Sequence, residues 1–402
     1  MNAHTVMIGE SVPLGGSVQP VVRSAGRLIV PFWPADPRLG QLSWPGESEV
    51  LMPGRWSPPI GPGVTYRRTS YLDQARTLPG TVDVLVVAAV RDADGWVLPW
   101  TSGTTGAVAT AGVDRVVAVE ARGQTVVPGA PRIRTDEIDV VGVAPEPLSS
   151  VRADAVARPP SPEVERIGAA LADLIPRGAW VELGIGALPS ALLRHLPPDR
   201  VAGFVCGTAD VNLLESVTAW GAAGWTVPVH TAMVFAPDHL VARAVEAQQL
   251  WLVPAEVSHC GSPELPFVAV NAALSVDLAG NVNTERVDGR VVSGRGGHPD
   301  FTRRGHVSTG GLSIVTLRSR NRNGASNIVS SLTAPERSTD GALVDVIVTE
   351  HGIADLRGLD REQRAGAITS IAHPDDRRTL LSTEPEAACS SAAAACSSTA
   401  SS

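Results

Sequence analysis

Lysine is absent: all 33 basic residues among the 402 are arginines. That excludes every chemistry built on an ε-amino group, namely a pyridoxal-phosphate aldimine, a Schiff-base aldolase, a phosphate-loop lysine and a lysine general base. Cysteine is scarce as well. Cys206, Cys260, Cys389 and Cys396 form no Cys-x-x-Cys pair, which speaks against a zinc ribbon, a redox motif or a disulfide framework. No stretch approaches the roughly 18 apolar residues that span a bilayer, and residues 1–13 lack the basic run and apolar core of a signal peptide. The expectation is a soluble cytoplasmic protein with no membrane partner. Positive charge is in deficit, 33 against 41 acids for a net −8. A nucleic-acid partner held by phosphate neutralisation is therefore not expected. No His, Asp or Glu group has metal-ligand spacing, so no metal site is expected either.

What is present is a large apolar fraction, 44% against 18% charged, enough for sizeable cores. The length suggests two domains of ordinary size. Short apolar runs alternate with helical stretches, the pattern of an α/β protein with buried, mostly parallel strands. Residues 83–90, 115–120 and 139–143 read as strands. Residues 102–112, rich in Gly, Thr and Ala, read as a loop leading into a weak helix. Residues 151–162 carry Pro159, Pro160 and Pro162 and read as the inter-domain linker. A second α/β unit follows: a helix over 164–174, a strand over 180–183, a glycine turn and a helix over 189–196. Further strands are expected at 267–271, 313–317 and 344–348, and a last helix over 360–371, which His373-Pro374-Asp375 terminates. These give domains over 1–157 and 158–381. Residues 382–402 are almost wholly Ala, Ser, Cys and Thr, and read as a disordered tail.

Several constellations carry possible chemistry. Glu182-Leu183-Gly184-Ile185-Gly186-Ala187-Leu188-Pro189 follows a strand and opens a helix. Its glycines let the backbone approach an anion at the helix start, although Pro189 breaks the dinucleotide fingerprint. A tight turn without a ligand reads equally from the same residues. Residues 293–301 hold Gly294, Arg295, Gly296 and Gly297; three glycines in four residues suit either an oxyanion hole or a surface hairpin. Between Arg286 and Arg322 lie eight arginines against two acids, Asp288 and Asp300. This is either a solvated basic face or a funnel for a phosphorylated ligand. His298 and His351 are each a general acid or base, or structural.

Taken together these segments resemble the acetyl-CoA hydrolase/CoA-transferase family, which includes 4-hydroxybutyrate and succinate CoA-transferases. The matching stretches, in order, are residues 135–139, 184–189, 271–283, 293–301, 348–358 and 371–375. The resemblance runs from about Val82 to Arg378; it is specific in the second half and thin in the first, where the N-terminal domain looks shortened. It implies two tandem α/β domains of the CoA-transferase type, an interface site, coenzyme A or acyl-CoA as substrate with a carboxylate acceptor, and a homodimer. It also implies CoA contacts at Gly184, Ile185, Gly186, Gly294, Arg295, Gly296 and Gly297. The family's nucleophile is a glutamate, which forms an acyl-glutamyl anhydride and then a glutamyl-CoA thioester. Here that position is Ser275. Serine cannot form the glutamyl-CoA species and needs a base to attack at all. Three outcomes stand open: a serine-based acyltransferase or hydrolase, a non-catalytic CoA-binding relative, or a glutamate supplied from elsewhere. Glu285 lies across a hairpin in this reading, and Asp277 has a structural role. A sugar-phosphate isomerase-like enzyme on a related fold is the remote alternative.

Overall fold

Runs of Val, Leu, Ile and Ala set the strands, because β-branched and apolar side chains on both faces suit a sheet covered by helices on each side. The computed structural model describes residues 4–10, 16–32, 46–54, 60–134, 137–144, 161–261 and 265–382. Residues 151–160 of the expected linker, the boundary at 157/158, Thr135 and Asp136 of the first matching stretch, and the tail from 383 onward lie outside the described residues.

In chain order the N-terminal strands are β1 Thr5–Ile8, β2 Arg27–Val30, β3 Ser48–Val50, β4 Val64–Tyr66, β5 Val84–Asp92, β6 Gly95–Val97, β7 Arg115–Glu120 and β8 Ile138–Val143. They lie in the order β4-β3-β2-β1-β5-β7-β8, all neighbours parallel, with β6 folded back antiparallel on β5. The C-terminal strands are β9 Ala179–Leu183, β10 Val201–Asp210, β11 Val229–Phe235, β12 Leu250–Leu252, β13 Phe267–Ala272, β14 Ser275–Asp277, β15 Val282–Asn283, β16 Arg286–Val287, β17 Arg290–Val291, β18 Leu312–Thr316, β19 Ile328–Val329, β20 Val346–Thr349 and β21 Gly352–Asp355. The second large sheet runs β12-β11-β10-β9-β13-β18-β20-β21, parallel except for the last pair. The expected α/β class with mostly parallel sheets is thus what the chain adopts. Among the described residues no helix is long and apolar enough to cross a membrane.

Helix Pro162–Leu174 shows how local sequence builds this layer. Ser161 precedes it, Pro162 occupies its first turn, and Val164, Ile167, Gly168, Leu171 and Ala172 recur on one buried stripe. Gly168 lets it approach helix Ala187–Leu193, since a Cβ there would lie 2.7 Å from the Ala191 carbonyl oxygen. Residues 102–112, expected to be a loop leading into a weak helix, are helical over Thr104–Ala111, so the helix takes up most of the segment. The helix over 360–371 is observed at Arg361–Ser370, closed by an Asp360–Gln363 capping box. Pro374 then opens a further helix, Pro374–Ser382, so the His-Pro-Asp segment begins an element as well as following one.

The two sheets do not sit apart. Trp100 and Val127, in the segments after β6 and β7, are buried in the main core beside the second sheet. The backbone N–H groups of Ser102 and Gly103 donate to the Ala232 carbonyl, and that of Leu252 donates to the Pro128 carbonyl.

Candidate active site between the two sheets

Open parallel sheets bind ligands beyond the carboxyl ends of their strands, where the loops begin. Both sheets here present those ends to one cavity of about 350 Å³. From the first sheet come Phe32 after β2, Met52 after β3 and Tyr71 after β4. From the second come Glu182 and Gly184 of β9 and its turn, Gly207 and Thr208 of β10, Met233 of β11, Asn271 and Ala272 at the end of β13, and Ala273 and Leu274 after it. Ser293 to His298, His259 and Phe301 complete the wall.

The second glycine loop is neither free nor a mobile hairpin. Tyr71 N–H donates to the Gly296 carbonyl at 2.9 Å, and Leu72 N–H donates to Asp300 Oδ2 at 3.1 Å. A Cβ on Gly294 would fall 2.7 Å from Met52 Cα. Gly296 has φ +55°, and Gly297 would place a Cβ 2.6 Å from His259 Nε2 and 2.7 Å from Phe301 Cε2. Gly294 and Gly296 are therefore required where the loop meets Met52 of the N-terminal part, and Gly297 where it packs on His259 and Phe301 of its own part of the chain. Gly297→Ala is expected to lose about 1–3 kcal/mol through overpacking, and Gly296→Ala about 1–2 kcal/mol through left-handed strain. The midpoint of urea unfolding reads both. An unshifted midpoint for Gly297→Ala would remove the packing argument.

Arg295 lines the cavity with its guanidinium already engaged: Nε and Nη2 donate to the Ser338 carbonyl at 3.1 and 2.7 Å. The eight arginines of 286–322 do not converge as one funnel. Arg286 donates to the Gly289 carbonyl, Arg320 pairs with Asp376, and Arg304 lies over the Phe267 ring at 3.9 Å while donating to the Ser258 carbonyl. Arg295, Arg303 and Arg304, joined by Arg76, instead line a second cleft of about 500 Å³ that shares His259 and Arg295 with the first. Asp73, Asp300 and Asp340 line it too.

The first glycine turn is placed as its sequence suggests. Gly184 follows β9 with no room for a side chain, since a Cβ would lie 2.7 Å from Asn271 Oδ1. Ile185 is exposed, and Gly186, with φ +122°, caps helix Ala187–Leu193. Gly184 and Ile185 line the cavity; Gly186 does not.

Ser275 opens β14 opposite Asn283 of β15, half-buried. Among the described residues the hydrogen-bond partner of its hydroxyl is Asn283 Nδ2, which donates to Oγ at 3.0 Å. Ala273 and Leu274 line the cavity and Ser275 stands next to them, outside the lining. Asp277, on the same strand, accepts from Ala279 N–H, Asn281 N–H, Asn281 Nδ2 and Leu332 N–H, which makes it the keystone of its own turn. Glu285 lies beyond the β14–β15 hairpin. It accepts from both Nε and Nη2 of Arg68, from the Tyr66 hydroxyl and from the Ser338 hydroxyl.

Of the two histidines singled out by sequence, His298 lines the cavity and His351 does not. His298 Nδ1 meets the Thr339 hydroxyl at 2.9 Å, while its Nε2 is buried without a partner. Burial and the nearby Arg295 charge hold its pKa down at about 4, so it is neutral. His351 sits by Glu350 and edge-on to His373. His259, not anticipated, is sandwiched by Tyr71 and Phe301, with ring centroids 4.8 and 4.2 Å away. Burial and the Arg304 charge press its pKa to about 3. Tyr71 in turn donates to the fully buried Glu10, which also accepts from Thr101 and the Thr105 N–H. Glu182 was also not foreseen as a site residue. Its signal was legible: one acid in an otherwise apolar buried strand, Ala-Trp-Val-Glu-Leu.

A mixed α/β protein with two large, mostly parallel sheets and a cavity lined by apolar and polar residues from both is the class that fold and site define. Residues 258–384 match the family model of the acetyl-CoA hydrolase/transferase C-terminal domain. The chain is 30% identical over 269 residues to a succinyl-CoA:cyclohexane-1-carboxylate CoA transferase of Geobacter metallireducens, covering 63% of this chain and 61% of that protein. It is 29% identical over 265 residues to a 4-hydroxybutyrate coenzyme A transferase of Clostridium kluyveri, covering 62% and 59%. The matches thus span about three fifths of these relatives' length. In fold it is similar to RipA from Yersinia pestis, with a TM-score of 0.77 at 21% identity over 94% of this chain and 93% of that one. A 4-hydroxybutyrate CoA-transferase from Porphyromonas gingivalis gives 0.68 at 23% identity over 94% and 92%.

Proposed function

We propose that the cavity between the sheets takes the acyl end of a CoA thioester, and that the protein passes CoA or the acyl group to a carboxylate or to water. The observation that carries this reading is the convergence, on one cavity, of stretches that resemble the family: Gly184-Ile185, Asn271 to Leu274, and the 293–298 loop. The walls of Phe32, Met52, Met233 and Phe301 suit an apolar acyl chain, and Asn271, Thr208 and Glu182 offer polar contacts to a carbonyl. The neighbouring cleft with Arg76, Arg303 and Arg304 is open to the phosphorylated part of the same ligand. The printed activities of the relatives, CoA transfer between acids and, for a Kluyveromyces lactis protein 34% identical over 113 residues, acetyl-CoA hydrolysis, bracket the reaction.

A second reading is a CoA-binding protein without turnover. It is favoured by Ser275, whose hydroxyl meets an amide donor and not a base. Two measurements separate the readings. CoA at a hundredfold excess over its Kd is expected to stabilise the protein by about 2.7 kcal/mol, and the gain should shrink as salt screens phosphate contacts. Thiol release from acetyl-CoA, followed with a thiol reagent, then reports turnover. No thermal shift at millimolar CoA would remove both readings. A shift without thiol release leaves the binding protein.

A further inference from the structure

Glu182 is buried, 1% exposed, at a place where its strand is otherwise apolar. Such a carboxyl is costly unless something uses it. Among the described residues it is the one carboxyl that lines the cavity. Asn271 Nδ2 donates to its Oε2 at 2.6 Å, which fixes the group from the neighbouring strand β13. An amide nitrogen has two hydrogens, so Asn271, which also lines the cavity, has a second to offer a ligand. The titratable and charged groups around Glu182 are few. Arg304 acts on it from helix His298–Val307, the Cys206 thiol lies on β10, and His259, His298 and Tyr71 line the same cavity. Burial holds both histidines neutral and keeps the thiol protonated. Burial likewise drives the Glu182 pKa up to about 8, against the opposing pull of the Asn271 hydrogen bond and the Arg304 charge. At neutral pH the side chain is mainly the acid and has a proton to donate.

We propose that Glu182 is a catalytic residue which, as a neutral carboxylic acid held by Asn271, donates a hydrogen bond to the carbonyl oxygen of the bound thioester and carries the oxyanion of the tetrahedral intermediate. A carboxylic acid kept neutral by an apolar site serves well as such a donor. Water or an acceptor carboxylate attacks the carbonyl carbon, and the C=O π pair moves to the oxygen facing Glu182. On collapse the C=O bond re-forms and the C–S bond breaks, with CoA thiolate leaving on the electron pair. Where water attacked, one of its protons passes through solvent to the thiolate; where a carboxylate attacked, the thiolate adds to the acceptor carbonyl of the mixed anhydride, forming the new thioester and releasing the first acid as its carboxylate. Glu182 keeps its own proton throughout. Asn271 is a positioning residue in this scheme. The role rests on the cavity being a CoA-thioester site.

The test uses the full chain, acetyl-CoA as probe, and the Glu182→Gln and Glu182→Ala variants, with CoA binding measured separately by calorimetry. Wild-type kcat/KM is expected to be level at neutral pH and to fall as pH rises through about 8, where Glu182 ionises. Glutamine still donates, so Glu182→Gln should stay within about tenfold of wild type and lose the alkaline decline. Glu182→Ala should fall about 10²–10³-fold with CoA affinity unchanged. Activity that rises through pH 8, a glutamine variant as impaired as the alanine one, or an alanine variant at the wild-type rate would each overturn the role. If wild type binds acetyl-CoA without turnover, the infrared band of a ¹³C-labelled thioester carbonyl decides. A lower frequency in wild type that Glu182→Ala abolishes supports the donor; an unshifted band overturns it. Failure of CoA to bind at all would instead sink the reading of the site, and the donor role with it.

Discussion

Glu285→Ala is expected to be among the most destabilising single changes in this protein, at about 3–5 kcal/mol. Glu285 has no exposed surface, and four side chains from both halves of the molecule close on it. Arg68 grips it with Nε and Nη2 at 2.8 and 2.7 Å, the Tyr66 and Ser338 hydroxyls donate at 2.6 Å each, and Arg295 stands 3.7 Å off. Alanine would leave the Tyr66 and Ser338 hydroxyls and Nε of Arg68 facing a hole with no acceptor, while Nη2 of Arg68 keeps the Arg337 carbonyl and Arg295 keeps the Ser338 carbonyl; orphaned buried donors cost more than the pair contributed. The Arg68 side chain is 31% exposed, so water would recover part of its loss and place the effect toward the lower figure. Glu285→Gln keeps the shape but one acceptor fewer, and should lose roughly half as much. Burial alone would raise the Glu285 carboxyl, but hydrogen bonds from Arg68, Ser338 and Tyr66 and the Arg68 charge prevail and hold it below its ordinary range. Its contribution is therefore complete above the ordinary carboxylate range and is lost as pH falls through the lowered folded value. Urea midpoints of wild type and Glu285→Gln should converge in acid. A gap that stays constant down to the acid limit would show that the charge is not what holds the two halves.

That network also shows how the sequence was legible and where it was not. The longer strands are partly visible in the chain because a parallel strand buried on both faces must be a run of Val, Leu and Ile. Residues 115–120 of the first sheet appear as strand to the residue, and 180–183, 267–271 and 313–317 of the second to within one, whereas β10 and β11 of the second sheet, whose runs are broken by Gly, Thr, Cys and His, are not expected as strands. The early strands are harder to see. β1 to β4 have three or four residues each, too short for periodicity to separate them from loop. Yet the loops after them supply Phe32, Met52 and Tyr71 to the cavity. A partner more than 200 residues away, as Tyr66 and Arg68 are for Glu285, leaves no local trace. The glycine loop at 294–297 was visible as a loop that must touch something, and what Gly294 and Gly296 touch is the N-terminal part. Glu182 stands two residues before the Gly184-Ile185-Gly186 turn, and only its burial gives it meaning. The basic stretch of 286–322 is continuous in sequence but dispersed in space, because β16, β17 and the helix at 298–307 point its arginines different ways.

Ser275→Glu is expected to create a covalent route that the wild-type chain does not have. The resemblance to the family places a nucleophilic glutamate at this position, and the structure holds Ser275 beside Ala273 and Leu274 of the cavity wall. A glutamate carboxylate extends further from the same Cβ than a serine hydroxyl. Asn283 Nδ2, now donating to Ser275 Oγ, is a ready donor for it. Carboxylate attack on the thioester gives an acyl-glutamyl anhydride with release of CoA thiolate. Return of the thiolate to the glutamyl carbonyl releases acetate and gives glutamyl-CoA, which an acceptor carboxylate can resolve. Acetyl-CoA with the variant should therefore yield a protein species heavier by CoA, sensitive to borohydride, and CoA transfer to acetate or succinate at least about tenfold above wild type, as one well-placed nucleophile commonly supplies. Ser275→Ala is the companion measurement. The partner of the serine hydroxyl is an amide N–H, which cannot accept a proton, so thiol release from the alanine variant is expected within a few fold of wild type. A drop of a hundredfold or more, together with an acyl-serine ester in wild type, would make Ser275 the nucleophile. A glutamate variant that binds CoA normally yet forms no adduct would show that residue 275 no longer faces the reacting carbonyl.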